Sequence, residues 1–186
     1  MMASQPANET AERALTAEQF RRPLEFILAD HERQHCICDD LQGLANESQI
    51  GPVTAQARSL LRFLTEDFAN HIRDEEEDLF PLLLRRCRPE DGIGEILGQL
   101  SSEHELDQDL VDFIIADLER LAGGFRLSNS TRFFNNVRAF AETHRRHLSW
   151  ENRVVLPLAR QRLTADDLAA MGRRMAAHRG LDYPGA

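Results

Sequence analysis

The sequence predicts an all-α fold: an up-down-up-down four-helix bundle with a short fifth helix at its C-terminal end. Apolar residues recur at steps of three or four through four long segments, and no segment alternates as a strand would. Short breaks containing glycine, proline or asparagine separate these segments, which favours antiparallel neighbours. At 186 residues, 42% of them hydrophobic, the chain has the size and composition of one globular domain.

The first helix is predicted from about residue 17 to residue 44, where Gly43 and the polar residues after it favour its end. Its expected inner stripe is Phe20, Leu24, Leu28, His31, His35 and Cys38. The second helix should begin near Pro52, which suits a first turn, and continue to about residue 87. Pro81 lies inside this pattern and is expected to kink the helix.

The third helix is predicted over residues 93–122 and ends at a pair of glycines. Its expected inner face is Ile93, Leu97, Leu100, His104, Gln108, Val111, Ile115 and Leu118. The fourth helix should follow Ser128, Asn129 and Ser130, each a credible capping residue, and reach about residue 162. Thr164 and Asp167 resemble a capping box for the fifth helix, which should end near His178. These elements divide the chain into a flexible tail (1–16), the bundle (17–163) and a C-terminal helix and tail (164–186).

Composition excludes several classes of function. A net charge of −9 with no basic stripe argues against nucleic-acid binding. The chain has no run of about 18 apolar residues and no signal-peptide core, so neither a membrane span nor export is expected. We therefore expect a cytoplasmic protein, in which Cys36, Cys38 and Cys87 are free thiols and Cys38 packs in the core.

One motif occurs twice. His71 precedes Glu75 by four residues, His147 precedes Glu151 by four, and a proline follows each histidine by ten residues. In the second helix the pair continues an apolar stripe of Leu61, Leu64, Phe68, Leu79 and Leu82. In the fourth helix the stripe is Phe133, Val137, Phe140, His144, Val154 and Leu158. A buried carboxylate is costly without a partner, and a metal ion is one of the few partners that would offset that cost.

The other two long helices each carry an inward histidine, His31 and His104. The inventory is thus four histidines and two glutamates, which suits two metal ions. The predicted ligands are His31, His71, Glu75, His104, His147 and Glu151. If both glutamates bridge the ions and an oxo or hydroxo group adds a further bridge, each ion has five ligands and one open position. Mixed nitrogen and oxygen ligation with open positions favours iron over structural zinc.

These residues resemble the hemerythrin-like (HHE cation-binding) family over residues 17–162. The resemblance rests on His31-Glu32, His71-x-x-x-Glu75 with Leu79-Phe80-Pro81, His104-Glu105, and His147-x-x-x-Glu151 with Leu156-Pro157. It implies a four-helix bundle around a non-haem di-iron centre with carboxylate bridges. Family members bind dioxygen, sense oxygen, redox state or iron, or respond to nitric oxide and damaged iron centres.

The leading hypothesis is therefore a di-iron protein that binds or senses a small diatomic ligand, O2 or NO, or iron or redox state. One alternative is an enzyme that acts on oxygen or nitrogen species or repairs iron centres. Another is an interaction module that uses its metal as a conformational switch. A metal-free bundle whose histidines hydrogen-bond to the two glutamates is the structural alternative to all three.

Three further histidines and an acidic run complete the expectations. His35 is either a fifth histidine ligand or a core or orienting residue, and His144 should pack beside the site. His178 is expected to be solvated. Within the acidic run 74–78, only Glu75 should point inward, and the other four carboxylates should form a solvated face. His31-Glu32-x-x-His35 also matches the zinc metalloprotease motif H-E-x-x-H, but that function would leave the repeated motif unexplained.

Overall fold

The computed structural model describes residues 16–47 and 53–183. In these two ranges every regular element is helical, which confirms the all-α prediction. Apart from Thr16, the predicted N-terminal tail lies outside the described residues, as does the predicted helix start at Pro52. The up-down-up-down order of the four long helices stays a prediction.

Helix α1 spans Pro23–Glu47 and is preceded by a separate 3-10 turn, Ala17–Arg21. The prediction of one continuous helix from residue 17 was wrong. Pro23 is the reason, because a proline disfavours the α conformation in the residue before it. Arg22 accordingly has φ −126° and ψ 69°, outside the helical region.

Helices α2 (residues 54–86) and α4 (residues 130–162) are long and interrupted by π turns. In α2 the π turns are Phe63–Asp67 and Asp74–Leu79, and in α4 the π turn is Glu151–Val155. The Phe80 N–H donates to the Glu75 carbonyl, and the Leu156 N–H donates to the Glu151 carbonyl. A proline follows each of these donors and has no N–H to give, so the disturbance expected at Pro81 takes the form of a π turn.

The remaining helix bounds follow the predictions. Helix α3 spans Ile93–Ala122 and begins after Gly92, whose φ of 61° suits glycine. The Asn129 side chain caps α4 by accepting from the Arg132 N–H at 2.9 Å. Helix α5 spans Ala165–His178 and has the expected capping box of Thr164 and Asp167.

The four long helices enclose one interior, since α1 and α3 each pack against both α2 and α4. Helix α5 packs on α1 and on the π turn Asp74–Leu79. The core consists of two apolar clusters: one runs from Cys38 to Ala141 and the other from Phe20 to Ala176 along the chain. Each long helix contributes to both clusters, and its buried histidine lies between the two contributions, so a polar layer separates them. No helix in the described ranges carries an apolar stretch long enough to cross a bilayer.

Some predicted inner faces were off by one residue. In α4 the structure buries Val155 and Ala159 instead of Val154 and Leu158, because the π turn inserts one extra residue into the repeat. In α3 Gln108 is exposed where an inward position was expected. In α1 Leu28 and His35 are only half-buried, whereas the predicted burial of Cys38 is confirmed.

Candidate metal centre

The polar layer brings the six predicted ligands together. They form two groups that could each hold a metal ion: His31 and His71 with both glutamates, and His104 and His147 with both glutamates. Within each group the potential ligand atoms all lie within 4.8 Å of one another, and all the residues are buried. Because Glu75 and Glu151 belong to both groups, either carboxylate can contact two ions.

The distances show how each carboxylate is shared. The Glu75 Oε2 atom lies 3.4 Å from Nε2 of His71 and 3.3 Å from Nε2 of His104. The Glu75 Oε1 atom lies 3.5 Å from Nε2 of His31. The two oxygens of Glu151 lie 3.4 Å from Nε2 of His31 and 3.3 Å from Nε2 of His147. The carboxylates therefore lie among four converging imidazoles.

Eight atoms at this centre are buried without a hydrogen-bond partner. They are the Nε2 atoms of the four histidines and all four carboxylate oxygens of the two glutamates. Buried polar atoms in proteins are nearly always hydrogen-bonded, so such a set needs an explanation. Imidazole nitrogen and carboxylate oxygen are metal ligands, and the convergence of their free lone pairs fits a dinuclear site.

The other ring nitrogen of each histidine is already engaged. His71 Nδ1 lies 3.1 Å from Asp30, and His147 Nδ1 lies 3.2 Å from Glu103. On the two remaining histidines, Nδ1 of His31 contacts Asn152 at 2.7 Å and Nδ1 of His104 contacts Glu76 at 2.7 Å. An acceptor at Nδ1 fixes the proton there and turns the Nε2 lone pair inward, the usual arrangement of metal-binding histidines.

Comparison with known proteins agrees with this arrangement. The chain matches the sequence model of the hemerythrin HHE cation binding domain over residues 22–159. The chain belongs to the hemerythrin HHE family. No curated protein matched the chain. The matched segment includes the six residues of the centre and ends before helix α5, so this hemerythrin domain is followed by a further helix.

The acceptors at Nδ1 were not predicted, although the sequence contained a signal for them. Asp30 directly precedes His31 in α1, and Glu103 directly precedes His104 in α3. These two acidic residues are 73 residues apart. Glu76 and Asn152 each follow one of the two buried glutamates and are 76 residues apart. The candidate ligands have the same spacings of 73 and 76 residues. The internal repeat therefore includes the residue before His31 and His104 and the residue after Glu75 and Glu151.

His144 packs beside the centre of this hemerythrin domain, as predicted, and its ring stacks on His147 with centroids 5.9 Å apart. Its Nε2 donates to the Gln34 Oε1 atom at 2.6 Å, and its Nδ1 lies 3.1 Å from Asp107. Burial lowers the pKa of His144, although Asp107 opposes that effect. With both ring nitrogens already engaged, His144 is committed to the surrounding network.

Electrostatics in the metal-free centre favour charged histidine–glutamate pairs. Burial lowers the pKa of His31 and of His104, but the nearby glutamates outweigh burial and raise these pKa values to about 9 and about 10. For Glu75, burial raises the pKa, but His71, His104 and His31 together hold it well below its ordinary value. Without metal, protons on His31 and His104 therefore offset the negative charge of Glu75.

His35 does not join the centre. Among the described residues, the groups that could hold a metal ion include neither Glu32 nor His35. Glu32 is exposed, and His35, one turn after His31, is only half-buried. This arrangement disfavours both a fifth histidine ligand at residue 35 and a zinc metalloprotease.

One prediction about the acidic run and one about His178 were wrong. Asp74 and Asp78 are each 1% exposed, so the run does not form a solvated face around Glu75. His178 was expected to be solvated, but its Nδ1 lies 3.0 Å from Asp74 and its side chain is largely buried. The π turn and helix α5 explain both errors, because α5 covers the side of α2 on which these carboxylates lie.

Proposed function

We propose that this chain is a non-haem di-iron protein. In this proposal His31 and His71 bind one ion, His104 and His147 bind the other, and the glutamates at residues 75 and 151 bridge the two. The observation that carries the proposal is the set of eight buried, unpartnered nitrogen and oxygen atoms converging on one layer. A metal-free hydrogen-bond network would have left few of these atoms without a partner.

The donor set supports iron. Two imidazoles and two shared carboxylates give each ion four protein ligands, whereas iron commonly takes more. A di-iron pair would supply open coordination positions at which a small diatomic molecule, O2 or NO, binds. We propose such a ligand as the physiological one, with binding or sensing as the function.

The surroundings of the centre support a small, uncharged ligand. Apolar clusters lie on both sides of the polar layer, and Phe80 stacks against His104 with ring centroids 5.9 Å apart. A surface cavity of about 430 Å3 lies between α2 and α3, and its lining includes His104 together with the carboxylates of Glu76, Glu105 and Asp109. The cavity reaches the outer edge of the centre at His104.

Hydrogen bonds around the histidines would preorganise the centre for metal binding. The Nδ1–H groups of His71 and His147 donate to Asp30 and Glu103, which fixes the tautomer and the orientation of each ring. Gln34 donates to Asp30 at 2.9 Å and so links His71 to the His144 network. Preorganised ligands reduce the rearrangement needed when a metal or diatomic molecule binds.

Metal analysis with optical spectroscopy tests the proposal. Purified protein reconstituted anaerobically with iron(II) should hold about two iron ions per chain, and its spectrum should change reversibly on addition of O2 or NO. A protein that holds one zinc and refuses iron would contradict the di-iron proposal. Steady turnover of O2, NO or peroxide would favour the enzymatic alternative, and a stable ligand complex favours binding or sensing.

A further inference from the structure

We infer that helix α5 holds the bridging glutamate Glu75 in position through an ion-pair cluster around two buried aspartates on the opposite side of the same π turn. We call Asp74, Asp78, Arg174, His178 and Arg179 the docking cluster. The inference rests on the proposed metal centre and gives a role to a helix that follows the matched hemerythrin domain.

The contacts of the docking cluster are direct. The Arg179 guanidinium contacts both oxygens of Asp74, with Nη1 at 3.0 Å and Nη2 at 2.7 Å. Arg174 pairs through Nε with Asp78, and His178 adds a contact to Asp74 at 3.0 Å. Two arginines thus match two buried aspartates, and a two-point arginine–carboxylate contact fixes orientation as well as distance.

The cluster acts on the turn that carries Glu75. Asp74 and Asp78 lie in the π turn Asp74–Leu79 with their side chains towards α5, while Glu75 points into the metal centre. A π turn is a local departure from the regular α hydrogen-bond ladder. The docking cluster contacts this π turn on the side that faces α5. On the inner side, histidines of the metal centre contact Glu75 of the same turn.

The second glutamate turn provides a comparison within the same molecule. Its π turn, Glu151–Val155, has Trp150 and Val154 at the positions that match the two aspartates. Trp150 is 51% exposed, so no buried ion pair fastens that turn at this position. A π turn with an inward glutamate can therefore form without the two aspartates. What distinguishes the turn at residues 74–79 is the contact of Asp74 and Asp78 with α5.

Helix α5 is built firmly into the bundle. Gly172 lies so close to the Phe20 carbonyl that a Cβ at this position would meet the oxygen at 2.0 Å. The Arg179 guanidinium also lies over the rings of Phe20 and Phe26, at 5.2 and 5.1 Å. The two rings therefore fix the Arg179 side chain where it contacts Asp74. We regard Arg179 as a positioning residue for the π turn Asp74–Leu79.

The docking cluster is not assigned as a third metal site. Asp74, Asp78 and His178 are close enough together to hold a cation, but guanidinium groups already neutralise both carboxylates. A cation would have to displace at least one arginine.

The test compares Arg174→Gln/Arg179→Gln with the exposed-site control Arg173→Gln in the full chain. Each protein is loaded with iron(II), and iron transfer to a ferrous chelator is timed. We expect about 10-fold faster release from the double variant and no change in the control, because altered outer contacts typically weaken metal sites by 10–100-fold. If the double variant does not fold, Arg174→Gln alone, which alters a half-exposed arginine, should accelerate release about threefold.

Amide hydrogen exchange in the metal-free proteins separates this inference from the proposed function. Exchange should increase at residues 74–79 and stay unchanged at 151–155, even if the wild type were to bind no iron. Equal exchange at residues 74–79 in the double variant and the wild type would overturn the inference. So would equal acceleration at both turns, which indicates general loosening. A third iron ion per chain, lost in Asp78→Asn, would instead assign the cluster as a metal site.

Discussion

Replacing both shared glutamates by glutamine would distinguish a metal centre from a metal-free polar core. Glu75→Gln/Glu151→Gln keeps the shape of the side chains and removes their charge. Both potential groups of ligands lose two of their members, because the glutamates are common to both. We expect this variant to bind no iron pair and yet to fold at least as stably as the metal-free wild type.

The magnitude follows from the unpartnered atoms. Leaving a buried polar atom unsatisfied costs about 1–3 kcal/mol. Each of the eight atoms lies 3.3–3.5 Å from a histidine or glutamate partner, so these costs do not add as eight separate penalties. Histidine–glutamate pairs offset part of this cost without metal, and bound iron would satisfy the atoms directly. With free iron at 100 times its Kd, binding alone adds about 2.7 kcal/mol, or a rise in Tm of about 5–11 °C for a chain of this length.

The assay is thermal unfolding of both proteins with and without iron(II), under anaerobic conditions. Glu142→Gln is the matched control, since Glu142 is an exposed carboxylate on the same helix as Glu151. Iron should raise the Tm of the wild type and of this control, and leave that of the double variant unchanged. The reasoning fails if iron does not move the wild-type Tm and the double variant is the least stable protein, because the glutamates would then belong to a metal-free core network.

Three further predictions concern single residues and pH. His71→Ala should lose at least one of two iron ions whereas His35→Ala should keep both, and metal analysis that finds equal losses would make His35 a ligand. In the metal-free protein the pKa values of His31 and His104, about 9 and about 10, exceed the ordinary value near 6.5 that applies on unfolding. Their stabilisation is therefore complete below about pH 6.5 and lost as pH rises through 9–10, so urea midpoints of metal-free protein should fall over that range. Thr164→Ala removes the cap of α5 and should lower the free energy of unfolding by about 1 kcal/mol, measured by urea titration, with Ser102→Ala on the exposed side of α3 as control.

The sequence was most informative where a residue type conflicts with its position in a repeat. A histidine or glutamate in an apolar stripe is visible from periodicity alone, and the six candidate ligands were found in this way. The starts of α3, α4 and α5 could also be predicted, because Gly92, Asn129 and Thr164 are residue types that favour the position before a helix. These features depend on neighbours within one or two helical turns.

The buried aspartates could not be predicted in the same way. Asp74 and Asp78 lie three and seven residues after His71, on its side of the helix, but a buried carboxylate needs a partner that the neighbouring sequence does not show. The partner of Asp74 is Arg179, 105 residues away along the chain, so nothing local indicated that this carboxylate would be neutralised. A run of five acidic residues also resembles a solvated surface, and the opposing arginines became visible only with the fold.

The two halves of the candidate centre have the same kinds of potential ligand but different outer acceptors. His104 and His147 both contact carboxylates, Glu76 and Glu103, whereas His31 contacts the neutral amide of Asn152. An imidazole that donates to a carboxylate gives more electron density to its metal than one that donates to an amide. Two iron ions bound here would therefore differ in reduction potential. The first electron to leave the pair should come from the His104/His147 side, and a half-oxidised centre should carry its extra positive charge there.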